Sequence, residues 1–116
     1  MSILDRSAIL AAQDLAHEDV TVPEWGGTVR VRMLSGAERD AFIAGMVDAD
    51  GKADLADYRT RLLAFALVGE DGARLFTDAD VAGLAGKSAP AIDRVFAVAD
   101  RLNRIGNAAV DAAEKN

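Results

Sequence analysis

Val20-Thr21-Val22-Pro23-Glu24-Trp25-Gly26-Gly27-Thr28-Val29-Arg30-Val31-Arg32 is the stretch on which the reading of this chain turns. Val20 and Val22 alternate with Asp19 and Thr21, and Val29, Val31 and Met33 alternate with Thr28, Arg30 and Arg32, the period of two strands that each keep one apolar face. Pro23 has no amide hydrogen to give to a ladder and belongs at a strand end, while Gly26-Gly27 supplies the positive φ angles of a tight connection. The stretch therefore predicts a β-hairpin whose outer face sets Asp19 and Thr21 near Arg30 and Arg32. Those charges read either as surface pairing or as a docking edge, because a two-stranded hairpin needs a helix beneath it or a further strand beside it.

Downstream the signals are helical. Ser35-Gly36-Ala37-Glu38 is a capping box that opens a helix to about Val47, with Ala37, Ala41, Phe42 and Met46 at helical steps, and Asp48-Ala49-Asp50-Gly51 closes it. A second helix is expected from about Ala53, where Leu55, Tyr58, Leu62, Phe65 and Ala66 form one stripe widened by Leu63 and Leu67, making it the most buried helix of the chain. Gly69-Glu70-Asp71-Gly72 reads as a turn, and Thr77 with Asp80 caps a short helix to about Ala85. Ser88 caps the next helix, with Pro90 in its first turn, and Ile92, Val95, Phe96, Ala99 and Leu102 carry it to near Gly106. Asn107 then caps an Ala-rich tail to Asn116. Upstream, Leu4, Ala8, Ala11 and Leu15 give the segment from Ile3 to about Leu15 a thin apolar stripe, so this helix has a weak hold on the core. The expectation is an α+β fold, mainly α, with four to five helices and one hairpin. It forms a single domain over 1–116: a loosely packed N-terminal helix (1–16), the hairpin (18–34), a helical core (35–106) and a helical tail (107–116).

The composition narrows the function by exclusion. The chain has 116 residues, 51% hydrophobic but only 5% aromatic, which suits small packed helices. A net charge of −6 repels a phosphate backbone and argues against nucleic acid as a partner. With no Cys and one His, disulfide frameworks, thiolate zinc sites and cysteine nucleophiles are excluded. The longest apolar run, Leu62 to Val68, falls far short of the ~18 residues that a membrane span requires. A cytoplasmic protein is expected, with no membrane partner.

Local look-alikes of active sites fail one by one. Gly86-Lys87-Ser88 resembles the end of a phosphate-binding loop, but Val81 stands where the first glycine is required. If Gly51 or Gly72 were the invariant glycine of a calcium loop, the first ligand would be Met46 or Leu67, neither of which can bind calcium. His17 sits beside Glu18 and Asp19 without a nucleophile to activate, and reads as a solvated side chain. No catalytic constellation, cofactor site or metal site is expected, and the chain is not read as an enzyme.

In order and spacing, the stretch from Val20 to Arg32, Leu34-Ser35-Gly36-Ala37-Glu38-Arg39-Asp40, Leu67-Val68-Gly69-Glu70-Asp71-Gly72, Leu75-Phe76-Thr77-Asp78 and the Ala-rich acidic run from Asn103 to Asn116 resemble the tail assembly chaperones of long-tailed bacteriophages and prophages. The resemblance spans about residues 17–116. It implies a protein of the host cytoplasm that coats the tape-measure protein, keeps that long helical chain soluble, helps recruit tail-tube protein and leaves before the particle is finished. Self-association is then expected, with the hairpin edge as its natural place. The resemblance also implies a longer frameshifted product, for which Lys115-Asn116 is a codon-level candidate.

Candidate partner-binding residues are Trp25, Arg30, Arg32, Phe42 and Met46. Trp25 leads because turn tips are exposed and tryptophan is enriched at interface hot spots, whereas apolar helix positions such as Phe42 and Met46 favour packing inside the domain. Two other classes compete: a connector or tail-completion subunit retained in the virion, and a small acidic regulatory module that binds through its N-terminal helix.

Overall fold

The hairpin forms two strands of a three-stranded antiparallel sheet, the third strand lying beside the hairpin's second. The computed structural model describes residues 2–104. The last helix ends at Asn103, short of the expected Gly106, because Arg104 turns left-handed at φ 52°; the tail from Asn107 and the Lys115-Asn116 site lie outside the described residues.

Strand β1 (His17–Val22) pairs with β2 (Gly27–Arg32) so that Val20 faces Val29, Asp19 faces Arg30 and Thr21 faces Thr28. Val20, Val22 and Val31 are buried on one face. The connection is a single 3₁₀ turn, Pro23–Trp25, closed by Gly26 at φ +73°. Gly27 does not share that left-handed conformation, as the two-glycine reading required; it is already the first residue of β2.

The need for further support is met from both directions. Helix α3 (Tyr58–Ala66) and helix α5 (Ala89–Asn103) pack beneath the sheet. Leu67–Val68 then leaves α3 as strand β3, pairing with β2 at Val31 and Arg30. A third strand was not expected, because seven consecutive buried residues, Leu62 to Val68, carry no period that separates helix from strand. As predicted, α3 is the most buried helix; Leu62, Leu63, Ala64 and Ala66 are wholly enclosed. Each of its buried leucines contributes about 1.5–3 kcal/mol by leaving water.

Helix α2 (Gly36–Ala44) opens with the predicted capping box: the Ser35 hydroxyl accepts from Glu38 N, and the Glu38 carboxylate accepts from Ser35 N. It ends three residues before Val47, because Val47 instead bridges to Ala53 in a small loop where Asp48 accepts from the backbone of Asp50 and Lys52. Helix α3 accordingly begins at Tyr58 rather than Ala53. Asp57 before it is left-handed, at φ 59°, and Leu55 is exposed instead of joining the stripe.

Thr77 and Asp80 form the second predicted capping box, over a 3₁₀ turn (Asp78–Asp80) that runs into α4 (Val81–Ala85). Ser88 caps α5 by accepting from Ala91 N. Near the end of α5, buried Asn103 accepts from Leu34 N at 2.7 Å and donates to Ala99 O at 2.9 Å, tying the last helix to the segment between β2 and α2.

The N-terminal helix is shorter than expected. Asp5 caps α1 (Arg6–Ala11) by accepting from Ala8 N, and no residue of the helix is buried. Residues Ala12–Ala16 lead on to β1, and Met33 N donates to Ala16 O at the root of this arm.

Candidate functional site

Trp25 owes its position to the 3₁₀ turn, since Pro23 sets the first backbone angle and Gly26 allows the reversal. The turn is fastened to the helical layer by an ion pair between Glu24 and Arg94 of α5. Hydrogen bonding to Arg94 holds the Glu24 carboxyl below its ordinary range. Trp25 is half-buried, not free at the tip as sequence reasoning expected, because the turn leans its ring against the core. It borders an open cleft of about 600 Å³, lined by Glu24, Trp25, Phe76, Asp80, Gly83, Leu84 and Lys87. Trp25, Phe76 and Leu84 give it apolar lining and Glu24, Asp80 and Lys87 add charge, a mixture suited to an apolar side chain or helix face.

The other candidate residues do not join Trp25. Arg30 donates to both carboxylate oxygens of Asp19, at 2.8 and 3.1 Å, and this bonding lowers the pKa of Asp19 and raises that of Arg30. Arg32 turns away from β1 and forms a half-buried pair with the capping carboxylate of Glu38, at 2.7 and 2.9 Å. The expected cross-strand pairing therefore forms at Arg30 and not at Arg32.

Phe42 is wholly enclosed and offers no surface to a partner. Its ring meets Tyr58 and Phe65 edge-on, with centroids 5.6 and 5.8 Å away, and the Arg61 guanidinium lies 5.0 Å from its centroid. Packing within the domain takes this residue, as the stripe argument favoured. Met46 is half-buried against the same core.

Gly45 makes room for Arg61: a Cβ there would lie 2.0 Å from the guanidinium Nη2, which donates to Phe42 O. Tyr58 lines a second, smaller opening of about 450 Å³ with Leu55, Arg59, Lys87 and Asp93, and burial pushes its hydroxyl pKa up. Among the described residues, no group of three or more His, Asp or Glu side chains is placed to hold a metal ion. No helix of the described residues is long and apolar enough to cross a membrane.

Sequence reasoning missed the apolar exposure of the N-terminal arm. Ile3 is 99% exposed, and Leu4, Ile9 and Leu10 are each more than half exposed. The signal was the same thin stripe that predicted a weak hold on the core. Side chains that find no core position remain available to another surface.

The family model for phage tail assembly chaperones matches residues 4–116. Among solved structures, the bacteriophage HK97 tail assembly chaperone superposes with a TM-score of 0.56 at 25% identity, covering 76% of this chain and 85% of that one. No curated protein sequence matches the chain.

Proposed function

This chain belongs to the phage tail assembly chaperone family, and from that premise we propose that it binds the tape-measure protein of its phage and keeps it soluble in the host cytoplasm while the tail forms. The observation that carries this reading is the open apolar cleft beside Trp25 on a chain of net charge −6. A tape-measure helix would lay its apolar face into the cleft by helix-in-groove docking, and the acidic exterior would keep the loaded complex dispersed.

Arg30 and Arg32 serve in this reading by fixing the hairpin and the first turn of α2 rather than by touching the client. Met46, in the turn that follows α2, would contribute only its exposed edge. The work is binding and release, a non-catalytic role. Recruitment of tail-tube protein would follow once the client is coated. Several copies would serve each client, associating through the outer edge of β1, which has no neighbouring strand among the described residues.

Mass spectrometry of purified tails tests the reading against that of a virion subunit. The proposal requires the protein in assembling lysates and its loss from mature tails. A fixed stoichiometric amount in mature tails would overturn it.

A further inference from the structure

We propose that two free copies pair through their β1 edges and exchange N-terminal arms, each arm filling the other's Trp25–Phe76–Leu84 cleft, so that a client helix must displace an arm to bind. The inference rests on the edge association proposed above and adds what occupies the cleft before the client arrives.

The hairpin supplies the geometry. β1 has the arm root at its first residue, His17, and the cleft residue Trp25 just past its last, Val22, a separation of about 20 Å for six strand residues. Antiparallel pairing of two β1 edges about a two-fold axis brings each root beside the other copy's cleft. A register centred on Val20 keeps the valines on the helix-covered face. It also sets Asp19 opposite Thr21 of the second copy, avoiding two facing carboxylates. Residues Ala12–Ala16 are not helical, and fully extended they reach about 17 Å.

Area decides between one arm and two. A fully exposed side chain of this kind would bury about 60–120 Å² at the usual area coefficient, so Ile3, Leu4, Ile9 and Leu10, at 99, 64, 57 and 68% exposure, together offer about 170–350 Å². One arm with its cleft therefore covers about 350–700 Å² in total, below a standard stable interface. Two reciprocal arms cover about 700–1,400 Å², which enters that range. A single arm folding back on its own cleft would leave the β1 edge unpaired.

The absence of cysteine makes the test direct. Gly83 lies in the cleft, has an ordinary φ, and an added Cβ there meets nothing within 4 Å, so Gly83→Cys fits; Leu10 is exposed, so Leu10→Cys fits as well. Mixing the two single variants under mild oxidation should give a disulfide-linked dimer on non-reducing gels, and each variant alone should give much less. The oxidised double variant should fail to solubilise a co-refolded tape-measure fragment until a reductant is added. In the otherwise unaltered chain, Ile9→Asp with Leu10→Asp should raise the dimer dissociation constant at least about tenfold, measured by light scattering.

Arm exchange is overturned if the double variant yields only an internally linked monomer, or if the protein dimerises without the arm-to-cleft cross-link. In the latter case edge association itself survives. A protein monomeric at every concentration overturns both, and solubilisation by the oxidised double variant overturns the displacement step.

Discussion

Replacing Phe42 with alanine should cost about 3–5 kcal/mol, the usual range for deleting an enclosed aromatic ring. The structure supports the upper part of that range. A fully enclosed ring removes about 150–250 Å² from water, about 4–6 kcal/mol at the usual coefficient, and the compactness of real unfolded chains trims this. Two edge-on aromatic neighbours and the Arg61 guanidinium over the ring add to the loss. A domain of this length has about 6–17 kcal/mol in all, so the variant should stay folded but with its melting temperature lowered by at least about 12 °C.

Urea titration followed by fluorescence suits the chain because Trp25 is its single tryptophan and sits half-buried beside the cleft. Phe42→Leu, which keeps most of the volume, should lose far less than Phe42→Ala and should bind client normally. A loss below about 1 kcal/mol for Phe42→Ala, with an unchanged denaturant slope, would refute the enclosed packing of this ring.

Asn103→Ala should cost about 1–3 kcal/mol in the same titration, since it leaves the Leu34 amide buried without its acceptor. Gly45→Ala should cost about 1 kcal/mol, because the new methyl displaces the Arg61 guanidinium from Phe42 O and from its place over the ring. Ser35→Ala should cost a similar amount by opening the capping box of α2. Acid should weaken the fold through Asp19 and Glu24. Their carboxyls titrate below the ordinary range when folded, so their stabilisation is complete above about pH 5 and is lost as pH falls through and below about 4. Both groups are exposed, so added salt should shrink the effect, and equal acid sensitivity in Asp19→Asn would contradict its share in it.

Local chemistry carried the legible part of this fold. Both capping boxes, the proline in the first turn of α5 and the valine alternation of the hairpin depend on near neighbours in sequence, and each formed where its residues stood. What escaped depends on distant partners. Arg32 has Asp19 within reach by strand logic, yet the entry of α2 turns Glu38 toward it. Trp25 reads as a free tip until the Glu24–Arg94 pair draws the turn onto α5. The loop between α2 and α3 mimics the start of a helix because Leu55 happens to fall in phase with the stripe that follows. The stripe of the N-terminal segment was visible, but its failure to meet any core follows only from how the other elements close the core without it.

If the cleft beside Trp25 keeps a tape-measure chain soluble, co-expression of the two proteins will show it. The tape-measure protein should move from pellet to supernatant, co-elute with the chaperone, and return largely to the pellet when Trp25→Ala replaces the parent chain at equal soluble level. A tape-measure protein that partitions identically with and without the chaperone would overturn the proposed function.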